Sequence, residues 1–189
     1  NQERDTVLLR LAQAKDAVIA YAVNDTNRPG RLLCPDLVGN GVSPLLSRDD
    51  CDSYSGLLPW KTLDLAENND AQGGMFRYYI SPSFGGQSAA VKLNSDTLTT
   101  LHLDVPAGSA SNDIAALIIA TRGAPDTLND DGDAYFYNGK TNAPQDNDIV
   151  IAITRQELMA AVEQRVANEL RTCLEQHASS ADNLQHTYP

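Results

Sequence analysis

The chain has 189 residues, enough for one core, with 42% hydrophobic and 21% charged residues, ordinary values for a folded domain. Its formal net charge is −11, and without a basic run anywhere it excludes nucleic acid as the expected partner, since phosphate binding needs clustered Lys and Arg. No apolar run reaches the roughly 18–20 residues needed to span a bilayer.

From Glu3 to Val23, apolar residues fall at Val7, Leu8, Leu11, Ala14, Val18, Tyr21 and Ala22, the three-and-four spacing of one helical stripe. The pattern stops at Pro29-Gly30, where helix-ending chemistry is expected. The chain begins inside this helix and without an initiator Met. A processed or truncated chain is therefore expected, with any targeting segment removed.

A short extended piece, Arg31–Asp36, precedes a turn-rich loop through Gly39, Gly41 and Pro44. Cys34 and Cys51 flank that loop at a separation a disulfide can close, which would place the chain in an oxidising compartment. A metal site on these cysteines would need two more soft ligands, and there is neither a Cys-x-x-Cys nor a nearby His. Trp60, the only tryptophan, sits in the apolar patch Gly56–Leu63 and is expected to plug the core beneath the first helix, with carbohydrate stacking as the alternative.

Four strands are expected. Met75–Ile80 is rich in aromatics. Leu98–Val105 alternates as a half-buried strand. Ile114–Ala120 is apolar throughout, as in a central strand covered on both faces, and Asn147–Ile153 is the fourth. Thr154, with Glu157 three residues on, then starts a capping-box helix. That helix should bury Leu158, Met159, Val162, Val166, Leu170, Cys173, Leu174 and His177. The order defines an α+β fold: a long N-terminal amphipathic helix packed on a mainly antiparallel sheet, with a second amphipathic helix near the C-terminus. Residues 1–154 form one globular domain in this reading, and residues 155–189 form the C-terminal helix. A weak echo between Arg10–Pro35 and Arg165–Pro189 suggests the start of a second such unit.

Enzyme signatures are absent: no Gly-x-Ser-x-Gly elbow, no phosphate-binding loop, no dinucleotide fingerprint. His102, His177 and His186 include no pair at metal-ligand spacing, and His102 reads as a solvent-facing strand residue. Asn129, Asp131 and Asp133 match the first ligand positions of an EF-hand, but Ala134 stands where Gly is required and Lys140 where Glu is required. A looser calcium site is left to Asp130, Asp131, Asp133, Asp146 and Asp148, hard oxygen ligands that would have to converge. Solvated turns are the ordinary reading of the same residues. Trp60, Tyr135 and Tyr137 are the candidate stacking surfaces for a ligand.

Several segments, in this order, resemble the globular domain of bacterial type IV pilin-like proteins, including the pseudopilins of type II secretion. They are Ala14–Ala22, Arg28-Pro29-Gly30-Arg31-Leu32-Leu33-Cys34-Pro35-Asp36, Gly56–Leu63, Phe76–Pro82, and Asp146–Val150 leading into Thr154. The chain departs from that pattern at Leu33, where Pro is usual, at Asp64, where Gly is usual, and before Gly73-Gly74, where an aromatic is usual. The resemblance implies a non-enzymatic filament subunit, periplasmic or extracellular, and anchored in the inner membrane by a hydrophobic N-terminal half-helix missing from this chain. It implies other pilin or pseudopilin subunits as partners, with Val7, Leu8, Leu11 and Val18 on the assembly helix. The alternative is a secreted calcium-dependent adhesin or carbohydrate-binding module.

Overall fold

The structure, a computed structural model, describes residues 2–44, 50–67, 73–86, 92–104, 111–121, 129–138 and 148–179. Asp146, Val105, Asn147 and the tail 180–189 lie outside the described residues. The fold is α+β: helix α1 (Gln2–Asn24), six strands in one mixed sheet, and helix α2 (Arg155–Ser179). The strands are β1 (Ser55–Leu57), β2 (Arg77–Ile80), β3 (Leu101–Asp104), β4 (Ser111–Ala120), β5 (Tyr135–Tyr137) and β6 (Ile149–Thr154). A 3-10 turn at Pro82–Phe84 follows β2.

β4 is the hub. Along one edge it pairs antiparallel with β6 from Ile114 to Ala120. Along the other it carries β2 at Ala116–Ile119 and then β3 at Ser111–Ile114, both antiparallel. Ser81 fills the junction: its Oγ donates to the Ile114 carbonyl at 2.8 Å and accepts from Thr100 N at 3.0 Å. The sole parallel contact among the paired strands is β3 with β5. β1 pairs with β2 and takes an isolated bridge from Asp36 to Leu57.

Ile114 faces Thr154 while Ala116 faces Ile153, so Ala115 is an extra residue in β4. Such a bulge flips the alternation of faces. Beyond it, Ala116, Ile118 and Ala120 join the main core under the helices, while Ile114, Leu117 and Ile119 join a smaller cluster on the other face. Both faces are covered, as a continuous apolar strand requires. The second cluster gathers Leu101, Leu103, Phe136 and Val150 from β3, β5 and β6.

α1 lies on the main core through Val7, Leu11, Ala14, Val18 and Ala22, a stripe one side chain wide. Leu8, expected on the same stripe, is half exposed, with Leu9 and Tyr21 also outward. At the α1 C-terminus no basic residue occupies the last turn. Arg165 of α2 supplies the charge instead, donating to the carbonyls of Val23 and Asp25. Arg28, buried, ties the following turn to the sheet by donating to the carbonyls of Gly85 and Ser83. Burial, together with Arg31 nearby, holds its pKa below the ordinary arginine value.

α2 corrects the sequence reading. Thr154 Oγ1 caps it, accepting from Glu157 N at 3.1 Å, and Leu158, Met159 and Val162 are buried in the main core. Val166, Leu170, Cys173, Leu174 and His177 are exposed, Leu174 at 68%. A 25-residue helix is about 37 Å long, whereas the six-residue β6 beside it extends about 20 Å. The core-facing stripe therefore runs on past its support. β3 also starts later than expected: Leu98 is exposed, and pairing with β4 begins at Leu101.

Candidate functional site

Cys34 and Cys51 form a disulfide, their Cα atoms 5.5 Å apart. Next to it Asp36, buried, accepts from the main-chain N–H groups of Val38, Gly39 and Gly41 at 2.9, 2.9 and 2.6 Å. Three such donors fix the loop around one carboxylate. Gly41 has a φ of 78°, and a Cβ there would sit 2.6 Å from the Trp60 ring. Trp60 thus packs on this loop, with Lys61 Nζ 5.1 Å from the ring centroid, and Leu58 and Leu63 take the core positions instead. The expectation of Trp60 as the plug beneath α1 is overturned: a ring seated on Gly41 is turned to the loop. Asp64 has a φ of 55°, the left-handed region glycine enters most readily.

The acidic turn Asn129–Asp133 closes over the second face of the sheet. Asn129 is its anchor. Its Oδ1 accepts from Tyr137 N at 2.8 Å, and its Nδ2 donates to the Tyr137 carbonyl at 3.1 Å and to Asp148 Oδ2 at 3.0 Å. Asp130 pairs with Arg77 at 2.5 Å. Burial acts to lower the Arg77 pKa, but the Tyr79 hydroxyl and Asp130 outweigh it and hold the guanidinium above its ordinary value. Asp131 accepts from Asp133 N at 3.1 Å and Asp133 from Tyr135 N at 2.7 Å, both turn-forming bonds of the Asx kind.

Beside this turn runs a cleft of about 400 Å³ lined by Ser53, Tyr54, Tyr79, Thr100, Asp133 and Phe136 among others. It adjoins a smaller one of about 170 Å³ that reaches Arg77 and Asp130. The chemistry available there is recognition by hydroxyls and one ion pair. Phe136 is buried and rests on Tyr79 with centroids 4.7 Å apart.

Among the described residues the candidate calcium ligands do not meet as a set, Asp146 lying outside them. Asp130, Asp131, Asp133 and Asp148 are drawn to different partners, and among the described residues no group of three or more His, Cys, Asp and Glu side chains comes together. Tyr135 spends one face of its ring stacking on His102, centroids 4.6 Å apart. His102 Nδ1 lies 2.9 Å from Asn112 Oδ1, so an amide, not a carboxylate, orients it. Tyr137 is half-buried, and its main chain is taken up by Asn129.

Sequence reasoning missed Asn138 and the bridging roles of Asp36 and Ser81, and it weighed Asn129 only as an EF-hand ligand position, not as an anchor. Turn composition around Gly39, Gly41 and Gly132 marked the loops, but apart from Asp36, whose partners are local, these side chains find partners on separate strands. The chain's similarity to known proteins adds nothing to this picture: no family model, curated protein or solved structure matches it.

Proposed function

We propose that this chain is the globular part of a non-enzymatic structural subunit, a pilin or pseudopilin of a bacterial envelope filament of the type IV pilus or type II secretion kind. The observation that carries the reading is α1. It lies on the sheet by one narrow stripe and turns Leu8, Leu9 (61% exposed) and Tyr21 outward. A helix held by one face and apolar on another is suited to pack against neighbouring subunits. The buried Val7, Leu11 and Val18 then hold α1 to its own domain, and assembly falls to the outward residues. The disulfide favours a periplasmic or extracellular location. Among the described residues no helix is long and apolar enough to cross a membrane, so an anchor in the inner membrane would lie in an apolar half-helix continuing α1 upstream. The adhesin alternative draws less support, because Trp60 packs on Gly41 and Tyr135 on His102.

The test uses the full-length gene product in its own cells. Surface material is sheared off, pelleted at high speed and probed with antibody to this domain. The expected result is recovery in the filament pellet, lost in a Leu8→Glu/Leu9→Glu variant whose domain still folds. Recovery only as a soluble, fully reduced protein would overturn the reading.

A further inference from the structure

β6 pairs with β4 on one side, and β5 pairs with β3 on one side. The opposite side of each is a row of main-chain groups of the kind that recruits further strands. In this domain side chains occupy those rows. On β5, Asp133 takes Tyr135 N, and Asn129 takes both Tyr137 N and Tyr137 O. On β1, the Ser53 hydroxyl serves both main-chain groups of Ser55, while the main chain of Asp36, not a side chain, bonds both of Leu57. On β6, Asn138 Oδ1 accepts from Val150 N at 3.3 Å while its Nδ2 donates to Val150 O at 3.1 Å. Lys15 Nζ then donates to the Ala152 carbonyl at 2.9 Å. A side-chain amide carries the same N–H and C=O as a peptide, so Asn129 and Asn138 each imitate one residue of a neighbouring strand.

The β6 edge differs from the others in what it would do if opened. Its sequence, Ile-Val-Ile-Ala-Ile-Thr, is uncharged, rich in β-branched residues, and free of Pro and Gly. That is the composition that self-pairs edge to edge. β1 and β5 are only three residues long. We propose that the outer edge of β6 is a strand-pairing site for the β6 of a second copy of this chain, held shut by Asn138 and Lys15. Antiparallel pairing about Ala152 would set Val150 of one copy against Thr154 of the other, a two-fold contact in which both copies offer the same surface. Among the described residues two side chains stand in its way. Lys15 is held there by a second bond, to Glu157 at 2.7 Å, so the position of α1 also guards the edge. The inference is independent of the filament reading.

Sedimentation velocity on wild type and on the Asn138→Ala/Lys15→Ala variant, at equal concentrations, tests it. The wild type is expected to run as a monomer and the folded double variant as a species of twice the mass or more, with an intermolecular β band in the infrared. Adding Ala152→Pro, which removes an N–H on the outer edge, should restore the monomer. A folded double variant that stays monomeric overturns the proposal, and so does a dimer that Ala152→Pro leaves intact. If the double variant fails to fold, Asn138→Gly/Lys15→Met decides: it releases both edge contacts while keeping the apolar stem of residue 15 in place. It should self-associate, and a folded monomer would sink the idea.

Discussion

Asn129 and Asp148 lie 19 positions apart and meet side chain to side chain at 3.0 Å, each only 4% exposed. The contact joins the acidic turn to the start of β6, and through Tyr137 to the end of β5. A buried polar group is costly unless its partners are in place. Asn129→Ala would strip a donor from Asp148 and two partners from the Tyr137 main chain. The expected loss is about 2–3 kcal/mol, the cost of leaving buried polar groups short. Urea unfolding checks this, and a midpoint equal to wild type would contradict the anchoring role.

Tyr78 presents the opposite case. It is fully buried in the main core, and among the described residues its hydroxyl has no hydrogen-bond partner. Burial pushes its pKa upward. Tyr78→Phe keeps the ring and deletes the stranded hydroxyl, so it should raise stability by about 1 kcal/mol. A loss of stability of that size on thermal unfolding would mean the hydroxyl is satisfied in solution.

Alkaline pH should weaken the fold by a route that can be traced. Burial, and then a hydrogen bond to Asp50 at 2.5 Å, raise the Tyr54 pKa to about 12 from an ordinary value of about 10. The folded state therefore favours the neutral phenol. Its contribution is fully present below about pH 10 and is lost as pH rises toward 12. Stability measured across that window should fall less steeply in Tyr54→Phe than in wild type. The remaining slope should shrink again when Tyr78→Phe is added. Identical slopes in wild type and Tyr54→Phe would rule out the assignment.

The Cys34–Cys51 bridge closes a loop with a sequence separation of 17. In the chain-entropy account a loop of that size stabilises by about 3 kcal/mol. A Cys34→Ala/Cys51→Ala variant should lose about that much, and a reductant should affect wild type but not the variant. Intact mass under non-reducing conditions should be two hydrogens below the fully reduced value, since Cys173 is a free thiol.

What could be read from the sequence was what local periodicity controls. α1 was legible to within a residue at each end because the spacing of Val7, Leu11, Val18 and Ala22 is the burial pattern itself. Ile114–Ala120 read as a doubly covered strand for the same reason, and Thr154 as a cap. The misses come from what periodicity does not carry. The apolar spacing of Val166, Leu170 and Leu174 shows a stripe on α2 but not whether anything lies over it. Tyr135–Tyr137 was not read as a strand because three residues have too short an alternation to read, and the parallel partner β3 lies more than thirty residues upstream. The aspartates of the acidic turn resembled ion ligands because composition alone does not distinguish a coordinating carboxylate from one that accepts a turn N–H. Asn138 gave no signal beyond its turn-forming type, and Asn129 signalled only an EF-hand position, since the partners of both are fixed by strand placement.

The most direct test of the filament reading is site-specific cross-linking in whole cells. A cysteine is placed at Leu9 in the full-length protein, in a Cys173→Ser background, and treated with a short thiol-reactive cross-linker. If α1 packs against neighbouring subunits by its outward face, the product is a ladder of covalent multimers, absent when the cysteine is instead placed at the exposed Asp52. A monomer alone at Leu9, from cells in which the protein is folded and its Cys34–Cys51 bridge is formed, would contradict the account.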